Sequence, residues 1–112
     1  MTWLDNAIEK AGEAVEVDVR HLNLDVETIQ VKPLSASEYQ ALKAHPDIRK
    51  LSSEDDRIEQ LGMMMVCEMM SKCDDSISWT KMKRMPLTLI GALSTAITDA
   101  IGQVGGGGAL GE

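Results

Sequence analysis

The chain reads as an α+β domain, mainly α-helical: a short N-terminal helix, a β-hairpin, then three helices and a flexible Gly-rich tail. Three observations predict this. Apolar residues recur at helical spacing up to Ala14, alternate strictly from Val15, and return to helical spacing after Pro33. The stretch Ser53–Cys73, SEDDRIEQLGMMMVCEMMSKC, is long and apolar enough to be the helix on which the rest packs. From Gly102 the composition turns to glycine, with Gly105–Gly108 in one run, which cannot repay the entropy of ordering. These bounds give one small domain over 1–102 and a tail over 103–112.

Taken in order, Thr2 is a natural N-cap for a helix whose Trp3, Leu4, Ala7, Ile8 and Ala11 share one face, ending near Gly12. So short a helix is marginal alone and is expected to dock on something. Trp3 then serves either as an anchor in the domain's own core or as an exposed hot spot for a partner. Val15, Val17 and Val19 alternate with Glu16, Asp18 and Arg20, the pattern of a half-buried strand. A second strand is expected at Val26–Lys32, joined through the turn formers Asn23-Leu24-Asp25 and stopped by Pro33.

Ser35 and Glu38 form a capping box for a helix through Tyr39 and Leu42 that stops before Pro46. His45 is expected at its C-terminal end, where a cation is favoured, and Asp47–Ser52 is a short connection with room for a helical turn of its own. After the Met-rich helix, Asp74-Asp75-Ser76 is a polar break. A helical turn follows over Thr80–Met85, carrying Lys81, Lys83 and Arg84 on a solvated face. Pro86 opens the last helix, Pro86–Ile101, whose stripe is Leu89, Ile90, Leu93, Ile97 and Ile101; its thin remaining faces suit close packing on the Met-rich helix.

On the Met-rich helix, Ser53 caps and Glu54, Asp55 and Asp56 complement the helix dipole. At 100° per residue, Ile58, Leu61, Gly62, Met65, Met69 and Cys73 fall in one sector, which Met63, Val66 and Met70 widen to an arc of about 200°. So broad a face is either packed on both sides by its own domain or partly open as a protein-binding groove. Flexible, polarizable thioethers suit an adaptable surface. The partner-binding residues expected are Trp3, Met63, Val66, Met69 and Met70.

Composition excludes several functions. A formal charge of −7 leaves only Lys81, Lys83 and Arg84 as a basic cluster, so nucleic acid is not an expected partner. No apolar run reaches the length of a membrane span and no signal-peptide pattern opens the chain, which predicts a cytoplasmic protein that does not engage membranes. Cys67 and Cys73 lie about 9 Å apart along one helix, too far for a disulfide, and are expected to be reduced, buried thiols. With His21 and His45 they match no zinc spacing, so neither metal nor cofactor is expected. No nucleophile, phosphate-loop or metalloprotease motif is present, and Asp74-Asp75 lacks a third group for acid–base work; the chain reads as a non-enzyme.

Residues 31–39, Val-Lys-Pro-Leu-Ser-Ala-Ser-Glu-Tyr, carry a strand into a capped helix. This junction, set between a hairpin and two acidic-capped helices, resembles the small tail assembly chaperones of long-tailed bacteriophages, where a V-x-P-L-S/T-x-x-E pattern opens the first main helix. The likeness extends loosely over residues 5–101. It implies a cytoplasmic binding protein of virion morphogenesis that holds the tape-measure protein soluble, helps recruit tail-tube subunits and is usually absent from the mature virion. It also implies a longer frameshifted product, for which G-rich codons at Gly105–Gly108 offer a slippery site. Independently of the resemblance, a core this modest leaves room for a homo-oligomer to supply part of the burial. The rival readings are a structural tail or connector subunit and a helical adaptor unrelated to phage.

Overall fold

A computed structural model describes residues 2–104 of the chain. The expected Gly-rich tail lies almost entirely outside them. Among the described residues there are six α-helices, a two-stranded antiparallel sheet and one 3-10 turn. The architecture is mainly α-helical α+β, as the sequence predicts.

Helix α1 (Trp3–Ala11) opens on a capping box in which the Thr2 hydroxyl accepts from the Asp5 N–H and the Asp5 carboxylate accepts from the Thr2 N–H. Strands β1 (Val15–Asp18) and β2 (Thr28–Val31) pair in the register Val15↔Val31, Val17↔Ile29. Val15, Val17 and Val31 point into the core while Glu16, Asp18 and Gln30 face solvent. The connection is not the tight hairpin expected around Asn23–Asp25. Val19 is fully buried and its N–H donates to the Glu27 carbonyl; Arg20–Leu22 then form the 3-10 turn, closed by Asn23 in the left-handed region at φ 58°. Leu22 and Leu24 tuck against the core from this turn, so burial of apolar loop residues overrides the shorter turn. At its start, Asp18 takes hydrogen bonds from the Arg20 backbone and guanidinium, which hold its carboxyl down to about 2.

Helix α2 (Ala36–Lys43) begins at the predicted capping box, with Ser35 N–H donating to Glu38 at 2.8 Å. His45 caps the start of the next helix rather than the end of α2. Its Nδ1 accepts from the Asp47 N–H at 3.0 Å and caps α3 (Pro46–Arg49), the helical turn for which the connection left room. Pro46 at the first helical position fixes φ and lacks the N–H that would otherwise need a partner there.

Helix α4 (Glu54–Ser71) is the central element, touched by α2, α3, β2, α5 (Trp79–Met82) and α6 (Leu87–Val104). The last helix runs through Gly102 rather than stopping at Ile101. The core joins Val17, Val19 and Val31 of the hairpin region to Val66, Cys67 and Met70 of α4, Met82 of α5, and Ile90, Leu93 and Ile97 of α6. Burying each such aliphatic side chain contributes about 1.5–3 kcal/mol.

The strand-to-helix junction owes its pattern to one lysine. Lys72, just past α4, donates to the Pro33 carbonyl at 2.9 Å and to Glu38 Oε1 at 2.6 Å. The Lys32 N–H donates to the Met69 carbonyl beside it. Val31 is buried, Pro33 ends the strand, Ser35 caps and Glu38 answers both Ser35 and Lys72. Val31, Pro33, Ser35 and Glu38 of the quoted stretch thus each have a structural task within the chain's own fold.

Candidate functional site

The core-facing side of α4 is rotated from the sector predicted to be its centre. The buried residues are Met64, Val66, Cys67 and Met70, whereas Ile58, Gly62 and Cys73 are exposed and Leu61, Met65 and Met69 are half-buried. The helix has apolar residues nearly all round, so periodicity could not say which part of the arc meets the core. The decision falls to the partners: the hairpin and α6 cover Val66 and Met70, and Met64 is buried on another side of the helix.

Of the predicted partner-binding residues, Val66 and Met70 are core and unavailable to a partner. Met69 is half-buried beside Lys32. Met63 is half-buried too, but it lies on the floor of an open groove. This groove runs between the N-terminal halves of α4 and α6, lined by Ile58, Gly62, Met63, Leu87, Ile90 and Gly91, with Glu59 and Ser94 at its edge and a volume of about 380 Å³. It continues past Leu87 into a second cleft of about 290 Å³ bounded by Gln60, Trp79, Lys83 and Met85. Ile58 and Leu87 are 63% and 62% exposed. A Cβ built on Gly62 or Gly91 meets nothing within 4 Å, so both glycines open onto free space. Sequence reasoning placed Ile58 and Gly62 on the apolar face of α4, but Leu87 fell off the predicted α6 stripe. Its exposure beside Ile58 could not be read from either helix alone.

Trp3 takes the exposed alternative. It is 79% exposed, with Leu4 at 52% and Ile8 at 64%, and α1 buries no residue at all. Among the described residues, the expected docking of α1 is therefore not made. Its apolar side chains are presented on one face of a well-capped helix, and an exposed Trp, Leu and Ile grouped in this way form a surface suited to an apolar partner.

A larger, more polar cleft of about 590 Å³ is lined by Tyr39, Lys43, Ile48, Arg49, Arg57 and their neighbours. Lys43 sits over the Tyr39 ring at 5.6 Å and Arg57 Nε donates to the Leu51 carbonyl at 2.6 Å, so two of its cations already have partners. Among the described residues no group of three His, Cys, Asp or Glu side chains is placed to hold a metal ion. Burial pushes the Cys67 thiol up, away from the reactive thiolate, whereas Cys73 is exposed rather than buried as expected. No described helix is long and apolar enough to cross a membrane.

What the arrangement can do is bind. An amphipathic helix laid in the α4–α6 groove would cover Ile58 and Leu87 and approach the backbone closely at the two glycines. No protein-family model, curated protein or solved structure matches the chain.

Proposed function

We propose that the chain is a non-enzymatic tail assembly chaperone of a long-tailed bacteriophage, acting in the host cytoplasm on the tape-measure protein and assisting recruitment of tail-tube subunits. The observation that supports this reading best is the open groove floored by Met63 and Ile90 and edged by Ile58 and Leu87, on an otherwise acidic chain. A long helical client exposes apolar stripes that aggregate before assembly. A groove with a methionine floor and glycine walls accepts such stripes without demanding one sequence. The acidic surface keeps the complex soluble.

Co-expression with the longest helical protein encoded immediately downstream tests this. The expected result is a partner insoluble alone, soluble with this chain, and recovered with it on affinity capture. A partner that is soluble alone and ignores this chain overturns the assignment. Recovery of the chain in purified particles would make it a structural tail subunit instead.

A further inference from the structure

Among the described residues, α1 and the α4–α6 groove each present an apolar surface without a partner, and the two match. Helix α1 offers Trp3, Leu4 and Ile8 on a nine-residue helix about 13 Å long. The α4–α6 groove offers Ile58 and Leu87 over a floor of Met63 and Ile90. Their charges match as well. Helical spacing puts Asp5 and Lys10 on opposite flanks of the α1 stripe, and the groove carries Glu59 in one section and Lys83 in the next. A helix seated between them can direct Lys10 to Glu59 and Asp5 to Lys83.

The chain's own α1 is held away from its own groove. Three residues, Gly12–Ala14, separate α1 from β1, about 10 Å at full stretch, and two of them are tied back to the helix by the Gly12 N–H donating to the Ile8 carbonyl and the Glu13 N–H to that of Lys10. Ala11 and Ala14 lie beside Ile101, in a cleft shared with Pro33. The groove begins at Ser94, roughly 10 Å back along α6 from Ile101.

The geometry points to a second copy of this chain as the occupant: α1 of one copy docks in the α4–α6 groove of another, and the exchange is reciprocal. Two such contacts bury on the order of 1,200 Å² in total, at the lower edge of a specific interface. The dimer thus covers both exposed patches until a client helix competes for the groove. The competition rests on the chaperone reading, but the dimer does not.

The test is light scattering on the full chain across a concentration series, without any client. Wild type is expected to pass from monomer to dimer, and Trp3→Asp and Gly91→Gln each to weaken the dimer at least about tenfold. Both sites are exposed, and circular dichroism checks that each variant folds. An equimolar mixture of the two variants retains one intact α1 and one intact groove, and is expected to form a heterodimer that neither variant forms alone. A chain monomeric throughout overturns the inference. So does a monomer in which Trp3 fluorescence reports burial, which is fold-back onto its own groove. A dimer lost with Trp3→Asp but kept with Gly91→Gln is α1–α1 pairing, and also overturns it. A dimer that behaves as expected beside a client that is never bound would fail the chaperone reading alone.

Discussion

Replacing the two groove glycines by alanine should stabilise the protein. Gly62 and Gly91 sit inside α4 and α6, where glycine costs about 0.8–1.0 kcal/mol relative to alanine because the unfolded chain gives up more backbone freedom. Neither has the positive φ that would justify it, and a Cβ at either meets nothing within 4 Å. No clash offsets the gain, so each substitution should raise unfolding free energy by roughly 0.5–1 kcal/mol. That corresponds to about 2–6 °C in Tm for a domain of this size. The sites lie on different helices facing one groove, so the double variant tests additivity, with about 1–2 kcal/mol expected. Urea titration followed by circular dichroism, at concentrations where the chain is monomeric, reads this directly. A loss of stability in either single variant would refute the reasoning, because it would mean that the space beside that glycine is filled.

Further outcomes follow from the rest of the molecule. Met70→Ala should cost about 2–4 kcal/mol, whereas Trp3→Ala should stay within about 0.5 kcal/mol, as separate urea titrations would show. Lys72→Met removes the donor to Pro33 and Glu38 and should cost about 1–2 kcal/mol after allowance for partial exposure of the pair. Glu38 is held below the usual carboxylate range, chiefly by the Lys72 hydrogen bond and then by the Ser35 N–H. Its contribution is therefore complete above the unfolded value of about 4.3 and is lost as pH falls through the lower folded value. The stability gap between wild type and Glu38→Gln should shrink on acidification below that point; a gap constant from neutral to acid would contradict this. Thiol labelling of the native protein should modify Cys73 rapidly and Cys67 only on unfolding, readable by peptide mass mapping.

Local signals carried the element order well. The capping boxes at Thr2 and Ser35, the N-cap at Ser53 and the alternation of Val15 and Val17 are short-range features whose physics is complete within a few residues. The α4 face was not legible, because methionines and small residues surround the helix and only the positions of the hairpin and α6 decide which are covered. His45 illustrates the same limit. Its place after α2 suggested a C-terminal cation, but Pro46 starts a new helix there and the imidazole becomes its N-cap. The groove was half legible: Ile58, Gly62 and Met63 belonged to the apolar arc, while Leu87 and Gly91 joined them only through the way α6 packs. Lys72 bridging Pro33 and Glu38 spans too many residues for any periodicity to reveal.

Which methionines the proposed helical partner touches decides between the α4–α6 groove and the flank of α4. With the methionine methyl groups isotopically labelled, NMR spectra of the chain would be compared with and without the co-expressed helical partner. The groove predicts a shift at Met63, with Met64 and Met70 unmoved in the core. Shifts at Met65 and Met69 with Met63 unchanged would contradict it and put binding on the flank of α4 instead.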